Sequence, residues 1–195
     1  MKRIWLAGLF AMGIAGAGCG THPGGTTATA DPAVTRELVQ ELDKPNTDVR
    51  RVRQLVDSGG DPNVVPDGAN MTAVQAVADL GTADDLRDLL EHGADPNVPD
   101  RLGNRPLMTV CAVGKPDSTR VLIDHGANVN ATNANGDTAL MYATHAAVPL
   151  VVRLLLDHGA DATATDKMGL TAMWNARHSR NASIISLLQS HGARG

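Results

Sequence analysis

Four histidines recur at steps of 33 residues: His92, His125, His158 and His191. A row of imidazoles invites a metal centre, because neutral imidazole is a common zinc ligand. The spacing argues against one. Zinc ligands converge within about 2.0–2.1 Å of a single ion, whereas residues one period apart fall on neighbouring helices packed about 8–10 Å from each other. Each histidine closes a Leu-rich run, where it suits the negative end of a helix. Nucleophile and phosphate motifs of the G-x-S-x-G, H-E-x-x-H and P-loop kinds do not occur. Gly13-Ile14-Ala15-Gly16-Ala17-Gly18 has dinucleotide-like glycines but no strand before it. Asp84 and Asp85 read as first-turn dipole partners, and Cys111 as a packed thiol on an inner helix. The expectation is a protein with no catalytic residues, no metal and no cofactor, and thus not an enzyme.

The elements that carry these residues repeat as well. Gly93, Gly126, Gly159 and Gly192 end one phrase: Leu89-Leu90-Glu91-His92-Gly93-Ala94, Leu122-Ile123-Asp124-His125-Gly126-Ala127, Leu155-Leu156-Asp157-His158-Gly159-Ala160 and Leu187-Leu188-Gln189-Ser190-His191-Gly192-Ala193. A second phrase lies 21 residues ahead of each: Thr72-Ala73-Val74, Arg105-Pro106-Leu107, Thr138-Ala139-Leu140 and Thr171-Ala172-Met173. The threonines are helix caps and Pro106 fits a first turn. A first helix ends near Gly81 or Gly114, and a second begins at Asp84, Asp117 or Pro149. Asp100-Arg101-Leu102-Gly103, Asn133-Ala134-Asn135-Gly136 and Asp166-Lys167-Met168-Gly169 have turn chemistry; Asn70 holds the glycine position of the earlier turn.

Two phrases in fixed register resemble the ankyrin family, whose 33-residue repeat starts T-P-L-H-x-A. Pro106 alone keeps the family proline, and Gln75, Met108, Met141 and Trp174 stand for the family histidine. The resemblance implies an all-α ankyrin-repeat solenoid of five stacked helix–turn–helix repeats with short hairpin tips, at approximately 31–66, 67–99, 100–132, 133–165 and 166–195. Aromatic residues are only 2% against 43% hydrophobic, which suits thin helical layers of Leu, Val, Ile and Ala. The first repeat is degenerate, with helices starting at Asp31-Pro32 and around Asn46 to Asp48. Arg50, Arg51 and Arg53 are expected to keep its outer face wet, and Ser183, Ser186, Gln189 and Ser190 to cap the other end.

Ahead of the repeats, Lys2 and Arg3 precede an apolar run from Ile4 to Ala17, then small residues and Cys19. The run is shorter than the about 20 residues of a membrane span and reads as a signal peptide at 1–18. Its end resembles a bacterial lipoprotein signal, which implies a lipid on Cys19 and, with Gly20 following, the periplasmic face of the outer membrane. Gly16 stands where that family has an aliphatic residue, so cleavage by an ordinary signal peptidase after Ala15-Gly16-Ala17 is one alternative and an uncleaved anchor another. Residues 19–30, rich in Gly, Thr and Pro, read as a tether. The domain follows at 31–195.

The formal charge is −4, and removal of Lys2 and Arg3 leaves 15 basic against 21 acidic residues, −6. No basic patch offers itself to nucleic acid or anionic lipid. Protein partners remain, with membrane contact only through a lipid on Cys19, and the chain is expected to be a monomer. The resemblance implies binding through hairpin tips and the exposed side of the first helices, on the concave face. Carried onto this sequence, that face holds Met71, Arg101, Leu102, Asn104, Asn135, Asp137, Lys167, Met168 and Leu170 on the tips. Its helix positions are Thr109, Tyr142 and Asn175, then Asp79, His145 and His178. Leu102, Met168 and Leu170 are apolar tip residues, which hints at recognition. The functional expectation is an exported adaptor. Its specific versions are an immunity-type inhibitor of a periplasmic toxin and a support factor for an envelope stress enzyme; an unrecognised catalytic site on the concave face is a further alternative.

Overall fold

The computed structural model describes residues 30–65 and 71–193. The leader expected at 1–18, with Cys19 and nearly all of the tether, lies outside the described residues, as does the first tip with Asn70. The described chain forms ten helices: α1 (Pro32–Leu42), α2 (Val49–Asp57), α3 (Ala73–Leu80), α4 (Ala83–Glu91), α5 (Pro106–Val113), α6 (Pro116–Asp124), α7 (Ala139–Ala146), α8 (Pro149–Asp157), α9 (Ala172–His178) and α10 (Ala182–Ser190). Among the described residues none is long and apolar enough to cross a membrane.

Local chemistry sets the starts. Thr72, Thr138 and Thr171 cap α3, α7 and α9 through their hydroxyls, accepting the amides of Gln75, Met141 and Trp174. α4 and α6 begin one residue earlier than the acidic residues indicate. Thr82 forms a reciprocal capping box with Asp85, and Pro116 occupies the first turn of α6.

The ends are equally specific. Gly93, Gly126, Gly159 and Gly192 take φ of 83–91°, which removes the Cβ penalty of the left-handed region. The Ala94 amide donates to the Leu89 carbonyl at 3.2 Å and that of Gly93 to Leu90 at 3.1 Å, the pattern of a Schellman end.

Within a pair the helices are joined by two or three residues, or six between α1 and α2, so each pair folds back on itself. First helices α3, α5, α7 and α9 pack in one layer, and second helices α2, α4, α6, α8 and α10 in another. The product is a solenoid. Its core is one continuous aliphatic cluster running through Leu38, Val52, Val74, Leu86, Leu107, Leu122, Leu140, Leu155, Met173 and Ile184, with buried Ala76, Ala143 and Ala176 letting first helices approach closely. No repeat covers its own apolar flank, so stability resides in the interfaces between repeats.

Polar ladders reinforce those interfaces. Asn63, Asn97 and Asn130 each donate through Nδ2 to the carbonyl of Gly93, Gly126 and Gly159 in the next repeat, at 3.2, 3.1 and 2.9 Å. Their Oδ1 atoms accept the amides of Asp95, Asn128 and Asp161 at 2.7–2.8 Å. Lys115 Nζ reaches the carbonyls of Ala78, Asp79 and Gly81, placing a cation on the C-terminal end of α3.

The first pair departs from expectation in one respect. Arg50 and Arg51 are exposed, but Arg53 is not spent on solvent. Its guanidinium bridges Asp85 and Asp88 of α4, because α2 packs beside α4 and the fork of Arg spans two carboxylates one helical turn apart.

Cys111 is fully buried. Burial pushes its thiol up to about 12 from 9.0, against a hydrogen bond with Thr119. A thiol raised on folding contributes stability that is complete below pH 9 and declines as pH climbs towards 12. At pH 8 its thiolate fraction is about a thousandfold below that of the unfolded chain. In the Cys19→Ser variant, where Cys111 is the sole thiol, an aromatic disulfide reagent is expected to react only after denaturant is added. Full reaction of the native protein within minutes would contradict this packing.

Candidate functional site

The hairpin tips are three copies of one cradle. Asp100 Oδ1 accepts the amides of Leu102 and Asn104, Asn133 Oδ1 those of Asn135 and Asp137, and Asp166 Oδ1 those of Met168 and Leu170, all at 2.8–2.9 Å. Such side-chain loops onto the following backbone fix a tight turn. Successive tips are then stitched edge to edge. The Ala134 amide donates to the Leu102 carbonyl, and that of Lys167 to the Asn135 carbonyl, both at 2.9 Å. Gly103 and Gly136 sit at these seams with φ of 78° and 85°, and a Cβ on either would meet the next tip's backbone at 3.0–3.1 Å. The three tips therefore form one rim.

Behind the rim lies a polar hub. Asn133 Nδ2 lies 2.9 Å from Asn104 Oδ1, 3.0 Å from Asp137 Oδ2 and 3.2 Å from Tyr142 Oη. The Tyr142 hydroxyl donates to Asn104 Oδ1 at 3.4 Å, and Asn104 Nδ2 donates to Asp100 at 3.0 Å. Burial raises the Tyr142 hydroxyl above the ordinary tyrosine value, with the Asp137 charge adding to it and the Asn133 bond opposing. It stays protonated at neutral pH and keeps its donor role. Gln75, at a family-histidine position, restores a cross-repeat bond by donating to the Asn104 carbonyl at 2.9 Å.

Asp137, Tyr142, His145 and Asn175, joined by Met141, line a cleft of about 260 Å³ between the middle tip and helices α7 and α9. Four of the expected face residues thus share one concavity. Leu102 and Met168 stand on the flanking tips, 67% and 82% exposed. Arg101, Asn135 and Lys167 are exposed on the rim, and Leu170 is half-buried. Two expected residues have inward duties: Met71 packs against the core, and Asn104 spends its amide within the hub. Of the additional helix positions, His178 stacks on Trp174 with ring centroids 4.9 Å apart.

Sequence reasoning missed Met141 as cleft lining and Asn133 as the hub. Asn133 stands in register with Asp100 and Asp166, and that substitution is the signal that marks the middle tip as different.

The recurrent histidines have a capping geometry. Nδ1 of His92, His125, His158 and His191 lies 2.7–2.9 Å from the carbonyl four residues back. A carbonyl only accepts, so Nδ1 carries the proton. Among the described residues no three His, Cys, Asp or Glu side chains are grouped to hold a metal.

A family model described as ankyrin repeats (3 copies) matches residues 43–133, 71–166 and 107–194, most of the chain. The chain belongs to the ankyrin-repeat family. No curated protein matches it. Ankyrin repeats are protein–protein interaction modules, which makes the rim and cleft of this ankyrin chain its candidate interaction surface.

Proposed function

We propose that the chain is an exported adaptor that binds one protein partner through its tips and first helices. The observation that carries this reading is the exposure of Leu102 and Met168 on a rim whose backbone is already satisfied. Apolar side chains there serve no core, and they flank a concave, mostly apolar cleft edged by Asp137, His145 and Asn175, the arrangement of an anchor site with a polar surround. Because the tips are tied to each other and to the stack, the surface is rigid and binding proceeds with little rearrangement. The N-terminal residues support export: a basic start, an apolar run too short to span, and Cys19 followed by a Gly/Thr/Pro-rich tether. A lipid on Cys19 would hold the stack at the outer membrane, facing the periplasm.

Affinity capture from an envelope extract, read by mass spectrometry, tests the binding half. One protein is expected in near-stoichiometric yield; none above an untagged control would contradict the reading. The identity of that protein separates an immunity-type role from support of a stress enzyme. For the anchoring half, Cys19→Ser is expected to move the chain from the membrane pellet to the soluble fraction. A variant that still pellets would rule out the lipid.

A further inference from the structure

We propose that the cleft between the middle tip and helices α7 and α9 receives a single arginine side chain of the partner. The inference rests on the adaptor reading and gives its central contact a chemistry.

Size comes first. Pockets that enclose a whole small molecule run to about 300–1,000 Å³, and this one, at about 260 Å³, fits one long side chain. Its walls then set the chemistry. Asp137 has no basic group within salt-bridge distance among the described residues, and its only side-chain donor is the neutral amide of Asn133. One N–H of Asn175 Nδ2 is directed to the Met141 carbonyl at 3.4 Å, which leaves Asn175 Oδ1 free to accept from a guest. The hydroxyl hydrogen of Tyr142 is committed to Asn104. The Asp137 and Asn175 oxygens thus offer acceptors beside the aromatic side chain of Tyr142, and the largely buried Met141 contributes to the lining.

A guanidinium matches each of these. It carries five donors and no acceptor, forks onto a carboxylate, stacks on an aromatic ring, and lays an apolar stem along apolar surface. An acidic guest would face the Asp137 charge, and an aliphatic one would bury that carboxylate with no counter-charge. The formal charge of −4 favours approach of a basic partner at long range.

The test uses the full chain, isotopically labelled, titrated with acetyl-Gly-Arg-Gly-amide and with its citrulline counterpart, which keeps the shape and loses the charge. The arginine peptide is expected to bind at least tenfold more tightly, with amide shifts concentrated at 137–145 and 175. Asp137→Asn is expected to erase the difference. That variant has precedent in the fold, since Asn104 occupies the equivalent position of the preceding tip, and an unchanged thermal midpoint would confirm that it is folded. Equal binding of the two peptides, shifts centred elsewhere, or a difference that survives in Asp137→Asn would each overturn the proposal. The two readings fail separately. A partner captured equally by wild type and Asp137→Asn leaves the adaptor standing without the arginine, whereas arginine binding with no partner captured does the reverse.

Discussion

Leu155→Ala is expected to lower the unfolding free energy by about 3 kcal/mol. Leu155 is fully buried on α8, in the layer where α8 packs between α6 and α10. Truncation removes three carbons from water-free contact and leaves a cavity that straight, closely stacked helices cannot collapse into. The loss is a large part of a total that for domains of this kind is about 5–15 kcal/mol. It also lies on an interface shared by repeats on both sides, where a stacked array draws its stability. Leu150→Ala is the internal comparison. Leu150 lies on the same helix, is 52% exposed, and its truncation is expected to cost less than about 0.5 kcal/mol. Urea unfolding followed by far-UV circular dichroism measures both. Equal losses for the two leucines would mean that α8 does not face the stack as described.

The features legible in the sequence were those that act within a few residues. Thr72, Thr138 and Thr171 announce helix starts because a hydroxyl caps an amide three positions on, and Gly93 and its counterparts announce ends because only a left-handed residue closes a Schellman turn. Asp31 and Asp48 marked even the degenerate first repeat. Contacts that cross from one repeat to the next were harder to read. The sequence pattern places Arg53 with Arg50 and Arg51 in solvent, yet it reaches residues 32 and 35 positions away. Composition places an arginine on a polar face but does not say which neighbouring helix bears the matching carboxylates. The asparagine ladder spans 29–32 residues, and its period is visible as Asp61-Pro62-Asn63, Asp95-Pro96-Asn97 and Asn128-Val129-Asn130, but the spacing alone does not say that each asparagine bonds the backbone of the next repeat.

The same limit applies to the face. Register along the repeat found Asp137, Tyr142, His145 and Asn175 as facing positions, because tips and first helices recur at known offsets. It did not reveal that these four close on one another over Met141, or that Asn104 and Met71 turn inward. That outcome depends on the packing of tip 133–137 against α7 and α9. A single departure, Asn133 where its neighbours carry Asp, was the local mark of the hub.

The rim itself makes the second large prediction. Leu102 and Met168 are 67% and 82% exposed, so replacing both with Asp buries no charge within the fold and is expected to leave the unfolding midpoint unchanged. In a complex, each carboxylate would be desolvated against an apolar anchor point. Anchor contacts of this kind are worth about 2 kcal/mol or more, and every 1.4 kcal/mol is about tenfold in affinity, so the pair is expected to weaken binding at least a hundredfold. Leu80→Asp with Val113→Asp is the matched control. Those residues are 55% and 50% exposed but close α3 and α5 at the ends away from the tips. Capture from envelope extract with the three baits, wild type, tip pair and far-end pair, decides the matter. The partner is expected with wild type and the far-end pair and absent with the tip pair; retention by the tip pair together with loss from the far-end pair would place the interface on the opposite edge of the stack.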